Sequence, residues 1–239
     1  TRLAGFRLGA HFAQDKGVLV PHEVKVRRAP VHASAHRTQT PTLSEGQKHA
    51  TDLLRHCIES GEYAPTLLFG VTASGKTEVY LSAIATTIAQ GRTAIVLVPE
   101  IALTAQVVDV FMGRFGEQVA VLHSRLSDGE RHDEWRRMQS GEAKIVVGAR
   151  SAIFAPLNNV GLIVVDEEHE ASYKQDKTPR YSARALALDR ARRNGATLVL
   201  GSATPSVPAV REAIRWAGAA HAPRGERRAA LQPGVVPGD

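Results

Sequence analysis

TLLFGVTASGKT, residues 66–77, joins an apolar run to a glycine-bearing loop, and EVYLSAIATTIAQ follows it with the spacing of a helix. Within it GVTASGKT fits G-x-x-x-x-G-K-[ST], placed after a strand and at the opening of a helix, where the chemistry of that pattern requires it. Backbone N–H groups from Gly70, Val71, Thr72, Ala73, Ser74 and Gly75 can surround a β-phosphate at a helix N-terminus. Lys76 can neutralise the β- and γ-oxygens, and the Thr77 hydroxyl can ligate Mg²⁺. A structural turn with no nucleotide is the competing reading of the same residues.

Outward from this loop the chain alternates strand-like and helix-like pieces. Strand TLLF, a helix from Lys76, strand TAIVLV, a helix from Ile101, strand QVAVLH and a helix from Asp128 come first. Strands KIVVG and GLIVVD, a helix from Ala183 to Arg193, strand TLVLGS and a helix across VPAVREAIRWA complete the order. The strands are continuous Val/Ile/Leu runs, as strands covered on both faces require. The expected fold class is α/β, a mostly parallel β-sheet flanked by helices, with ligands at the carboxyl ends of the strands. Upstream, VLVPHEVKV reads as a short β-hairpin, APVHASAHRTQTP (residues 29–41) as a linker, and the main domain begins near Thr42. The stretch HAPRGERRAALQPGVVPGD lacks periodicity and reads as disordered, giving a domain over 42–218 and a tail over 219–239.

Composition narrows the function classes. With 43% hydrophobic and 23% charged residues, the 239-residue chain has the balance of a soluble globular protein with one sizeable core. No apolar run approaches the roughly 18 residues of a spanning helix, and no secretory signal pattern opens the chain. A cytoplasmic location and no membrane partner are expected. Cys57, the single cysteine, lies in the apolar pattern LLRHCI and reads as a buried small hydrophobe. The net charge of +6 suits a polyanionic partner, because neutralised phosphates release condensed counterions.

Two further strand ends carry chemistry. GLIVVDEEHE places Asp166, Glu167, Glu168 and His169 after an apolar strand. Asp166 can hold Mg²⁺ opposite the phosphate loop and Glu167 can orient an attacking water, so Lys76, Asp166 and Glu167 form the expected catalytic set. A solvated acidic loop is the alternative. GSATP follows strand TLVL and offers the Ser202 and Thr204 hydroxyls.

Taken in order, GVTASGKTEVYL, VLVPEIALT, LHSRLSDGER, GARSAIFAP, VVDEEHEASYKQ and GSATPS resemble the first motor domain of the PriA family of superfamily 2 replication-restart DNA helicases, over about residues 43–207. The resemblance implies a RecA-like P-loop ATPase domain using ATP and Mg²⁺, with Thr77 and Asp166 as metal ligands. It implies coupling through His169 to Ser202 and Thr204. It makes TLSEGQ an adenine-reading element through Gln47, whereas the residues alone leave Gln47 equally an exposed glutamine at a helix start. DNA contacts are implied for Thr104 in PEIALT and for Arg150 and Ser151 in GARSA. In SYKQDKTPRYSAR, Tyr173 and Tyr181 offer stacking surfaces beside Lys174, Lys177, Arg180 and Arg184, with a charged surface loop as the alternative. The implied partners are forked or single-stranded DNA, primosome components and proteins that load the replicative helicase. The segment 1–28 resembles the end of a winged-helix region.

Departures from the family pattern stand at Ala73, where glycine is usual, at Ala105, where proline is usual, and in SARAL, where His-Ala-Arg-Asp is expected. Zinc is expected in the complete family protein, bound by paired cysteines, whereas one cysteine here supplies no such set. The resemblance also implies a second RecA-like domain with a catalytic arginine. The chain is therefore read as a fragment, one that binds ATP better than it turns it over. A nucleotide-dependent DNA-binding module without motor activity is the alternative, and a small-molecule kinase a third reading.

Overall fold

The structure, a computed structural model, describes residues 42–71 and 74–211. The hairpin, linker, winged-helix remnant and tail expected from the sequence lie outside the described residues, as do Thr72 and Ala73.

Helix α1 (Glu45–Ser60) opens the domain, followed by β1 (Ala64–Phe69), α2 (Lys76–Ala89), β2 (Thr93–Leu97), α3 (Ala105–Phe115), β3 (Val119–Leu122), α4 (Asp128–Ser140) and β4 (Ile145–Gly148). Strand β5 (Val160–Val165), a two-stranded hairpin of β6 (Lys174–Gln175) and β7 (Tyr181–Ser182), α5 (Ala183–Asn194) and β8 (Thr197–Ser202) complete it. Residues 207–211 are helical, and the remaining residues of the helix expected across VPAVREAIRWA lie outside the described residues.

The six long strands form one sheet in the order β1-β8-β5-β2-β4-β3, every pair parallel. Alternate side chains feed two cores. Ile95 and Leu97 of β2, Ile163 and Val165 of β5, and Leu198 and Leu200 of β8 point to one side, against Ala183, Ala187 and Ala191 of α5 and Met138 of α4. Ala94, Val96, Leu162, Val164 and Val199 point to the other, against Leu54 and Ile58 of α1, Ile84 of α2 and Phe111 of α3. Burying each such branched side chain stabilises the fold by about 1.5–3 kcal/mol, which is why these strands read as unbroken apolar runs.

Local signals set the helix ends. Ser44 with Gln47 and Ser127 with Glu130 form capping boxes on α1 and α4, and Gly61 and Gly141 close those helices in the left-handed conformation. Helix α3 departs from the sequence expectation: it begins at Ala105, not Ile101. Residues 99–103 form a turn in which the Ala102 and Leu103 amides donate to the Pro99 carbonyl, and Thr104 then caps the helix by accepting from the Val107 amide. A hydroxyl is a far better N-cap than isoleucine, and Ile101 is left 82% exposed in the turn. Helix α1 and the β6/β7 hairpin were absent from the sequence-derived order of elements.

Strand order divides the carboxyl edge of the sheet. The ends of β1, β8 and β5 lie side by side and carry GVTASGKT, GSATP and DEEH. Strands β2, β4 and β3, on the other side of β5, carry PEIALT, GARSA and the loop after Leu122. The DEEH strand is the boundary between them.

Candidate nucleotide site and its neighbouring interface

Register brings the first loop to its partners. Phe69 pairs with Ser202, so the Gly70 amide donates to the Ser202 carbonyl at 3.2 Å. Gly75 ends the loop as the N-cap of α2 with φ of 76°, a conformation open to glycine, and no side chain caps the helix. The first amides of α2 therefore remain available to an anion, where the helix dipole also favours negative charge. A Cβ at Gly75 would lie 2.1 Å from Gln47 Nε2, so any other residue here would push the Gln47 carboxamide aside as well as strain the positive φ.

Gln47 explains that closeness. Its Nε2 donates to the Ser74 carbonyl at 3.0 Å, while its Oε1 accepts from the Ser44 amide at 2.9 Å. The carboxamide is thus a latch between α1 and the loop, a role that sequence reasoning missed because the two segments meet only in the tertiary fold.

The Lys76 ammonium donates to the Gly70 carbonyl at 2.9 Å and lies 3.4 Å from Glu167 Oε1. Glu167 takes a left-handed backbone, φ of 44°, rare for a residue with a Cβ. Its other oxygen accepts from the Ala203 amide at 3.3 Å. This turn sets the carboxylate between the Lys76 loop and the loop after β8. His169 lies 2.8 Å from Ser202 Oγ through Nδ1 and 3.4 Å from Thr204 Oγ1 through Nε2, so the three residues expected to couple these loops are brought together.

Asp166 accepts from the Tyr80 hydroxyl at 2.9 Å through Oδ1. Burial raises its carboxyl above the ordinary aspartate range although that hydrogen bond pulls the other way. Burial, then the neighbouring Asp166 charge, raises the Tyr80 phenol well above its usual value, so the hydroxyl remains a donor. Thr77 and Asp166 both line a cavity of about 200 Å³ whose other walls include Tyr80, Gln106, Val96, Val98, Val107, Val110 and Phe111. One hydroxyl and one carboxylate on a shared wall fit a Mg²⁺ ion, which keeps several waters and takes few protein oxygens.

Glu168 points the other way. It is 3% exposed, accepts from the Ser206 amide at 2.7 Å and the Ser206 hydroxyl at 3.0 Å, and pairs with Arg184 Nε at 3.0 Å. Arg184 therefore anchors α5 to the DEEH segment. This corrects its expected place among the DNA contacts, because an Arg beside a buried carboxylate is held there by the cost of leaving that charge unpaired.

Tyr173 is corrected for a similar reason. It is 2% exposed, and its hydroxyl donates to the carbonyls of Asp166 at 2.6 Å and Leu97 at 3.0 Å, so its ring offers no stacking face. A tyrosine in a charged segment gives no sequence signal of which way it points. Tyr181 is half-buried, edge-on to Phe154 with ring centroids 5.1 Å apart, and Phe154 is 51% exposed. Lys174 and Arg180, in the same hairpin, are exposed, and Ser151 and Thr104 are exposed in their own segments. Arg150 donates to the Lys174 carbonyl at 2.8 Å and so ties β6 to the short helical turn Arg150–Phe154.

The chain is 50% identical over 194 residues to the replication restart protein PriA of Bacillus subtilis (strain 168), a match covering 81% of this chain and 24% of the relative. It is 44% identical over 225 residues to that of Treponema pallidum (strain Nichols), covering 91% of this chain and 34% of the relative. The chain thus spans about a quarter to a third of the length of these curated relatives. Among solved structures, RecG bound to a three-way DNA junction matches with a TM-score of 0.53 at 23% identity, over 71% of this chain and 22% of that one. A hypothetical ATP-dependent RNA helicase from Sulfolobus tokodaii matches with 0.51 at 18% identity, over 73% and 50%. Both likenesses are of fold. The DEAD/DEAH box helicase model matches residues 45–213, and the chain belongs to that family.

Proposed function

We propose that this chain is the ATP-binding RecA-like motor portion of a PriA-like replication-restart DNA helicase, in which ATP hydrolysis drives movement along DNA and strand separation. Membership of the helicase family carries the use of ATP and Mg²⁺ in general. The observation supporting the assignment to these residues is the convergence at Glu167, whose carboxylate meets Lys76 on one side and the Ala203 amide on the other. In this reading the described loop residues Gly70, Val71, Ser74 and Gly75, with Thr72 and Ala73, surround the phosphates. Lys76 neutralises their charge, and Thr77 and Asp166 hold the cation. Glu167 positions and deprotonates the attacking water. Gln47 serves the adenine edge with whatever hydrogen-bonding capacity its latch leaves. His169, Ser202 and Thr204 link the state of the nucleotide to the loop after β8.

Thr104, Arg150, Ser151, Lys174, Arg180 and Tyr181 are the DNA contacts of this reading, on the part of the carboxyl edge beyond β5. Their chemistry suits phosphates and base faces more than base edges, so binding is steeply salt-dependent and weakly sequence-dependent. The complete protein acts at forked or single-stranded DNA in the cytoplasm and assembles with primosome and helicase-loading components. Among the described residues no helix is long and apolar enough to cross a membrane. Substituting Lys76→Ala tests the assignment: nucleotide binding measured by calorimetry should be lost at an unchanged melting temperature. Unchanged binding at equal folding would place the nucleotide elsewhere.

A further inference from the structure

Tyr80 has no part in the site as assigned so far, yet it is among the most enclosed side chains of the domain, 2% exposed in the interior of α2. Its ring enters the core between α2 and the sheet, and its hydroxyl emerges at the carboxyl edge, donating to Asp166 Oδ1 at 2.9 Å. The third member of this contact is Gly201. A Cβ built there would lie 1.7 Å from the Tyr80 hydroxyl oxygen, 2.9 Å from the ring carbon that bears it and 3.3 Å from Asp166 Oδ1. No side chain can occupy position 201 while the phenol holds Asp166. The Gly201 carbonyl in turn accepts from the Glu168 amide at 3.0 Å, so the same glycine fixes the turn that presents Glu167.

We propose that Tyr80 is a positioning residue for the cation site. Its hydroxyl, seated against Gly201, holds Asp166 Oδ1 and, together with the Glu167 amide that also bonds this carboxylate, fixes the rotamer in which Asp166 would meet the metal. The inference rests on the nucleotide site proposed above and adds a residue that the phosphate-loop pattern does not include. A carboxylate held by a neutral donor keeps its charge and loses its freedom to rotate, so cation binding need not order it again. The phenol also joins three elements at one atom: helix α2, the acidic box that follows β5, and the end of β8 at Gly201. A shift of any one of them alters the metal geometry.

Tyr80→Phe removes the hydroxyl and keeps the ring. The probe is a fluorescent ADP analogue, titrated against the full 239-residue chain in Mg²⁺ and again in EDTA. The affinity gained on adding Mg²⁺ should fall about three- to tenfold in Tyr80→Phe, the scale of one ordinary intramolecular hydrogen bond, while affinity in EDTA stays within about twofold. Gly201→Ala, which forces the hydroxyl off Asp166, should lower the Mg²⁺ gain in the same way. Its thermal destabilisation should be smaller in the Tyr80→Phe background than alone, because the closest overlap is then gone. An undiminished Mg²⁺ gain in Tyr80→Phe overturns the inference, as does equal loss in both buffers, which marks a merely structural tyrosine. Equal cost of Gly201→Ala in both backgrounds overturns the three-way contact. Failure of the unsubstituted chain to bind the analogue in either buffer defeats instead the nucleotide site itself.

Discussion

Replacing Arg184 by alanine removes the guanidinium that faces Glu168, whose side chain is 0% exposed, while the Arg184 side chain is itself 19% exposed. Glu168 would keep the two Ser206 donors, so the carboxylate would not be stripped of every partner. Leaving a buried charge without its counter-ion costs about 3–5 kcal/mol, and with the Ser206 hydrogen bonds retained about 2–4 kcal/mol is expected. For a domain of this size each kcal/mol lowers the melting temperature by about 2–4 °C, which gives a drop of about 5–15 °C. Thermal melting followed by circular dichroism reads this directly. The double substitution Arg184→Ala with Glu168→Gln should recover part of the loss, because a neutral amide tolerates burial better than an unpaired carboxylate. DNA affinity measured below the new melting temperature should keep its salt slope. If Arg184→Ala melts within about 2 °C of the unsubstituted chain and instead lowers the salt slope of DNA binding by about one, the arginine faces phosphate and its removal from the DNA contacts is wrong.

Asp166→Asn should raise the melting temperature at pH 7, because burial holds the Asp166 carboxyl above its unfolded value and its charge there costs stability. That cost is present above the raised folded value and disappears as pH falls through it toward the ordinary aspartate range, so the two melting curves should converge in acid. Parallel curves would contradict the burial argument. Gln47→Ala should cost about 0.5–2 kcal/mol through the lost capping box and also weaken nucleotide binding through the lost Ser74 latch. Gln47→Glu, which keeps the capping acceptor but not the donor, should spare stability and still weaken binding; full binding by Gln47→Glu would refute the latch. Lys174→Ala and Arg180→Ala should each reduce the slope of log affinity against log salt by about one, with little change in melting temperature, and an unchanged slope would remove them from the interface.

The fold was legible because its strands carry their own record. VLIV-type runs such as those of β2, β5 and β8 can be satisfied only by burial on both faces, and that condition alone selects a parallel sheet covered by helices. The phosphate loop and acidic box were legible because they are contiguous and their chemistry is fixed by spacing. Less legible were boundaries where a cap competes with an apolar residue, as when Thr104 rather than Ile101 begins α3.

The direction of side chains in charged segments was not legible at all. Tyr173 and Tyr181 stand in one segment of similar composition, yet Tyr173 is buried with its hydroxyl on the Asp166 and Leu97 carbonyls while Tyr181 lies half-open against Phe154. Arg184 likewise differs from Arg180 only through Glu168, a residue on the far side of the hairpin. By itself the sequence determined which residue types meet a phosphate, where the strands run and at which edge the chemistry gathers. The tertiary structure decided strand order, and with it that Gly70 meets Ser202, Gln47 meets Ser74, and Tyr80 meets Asp166 across Gly201. These contacts join segments far apart in the chain, and their energies depend on burial and distance, which no local pattern of residues encodes.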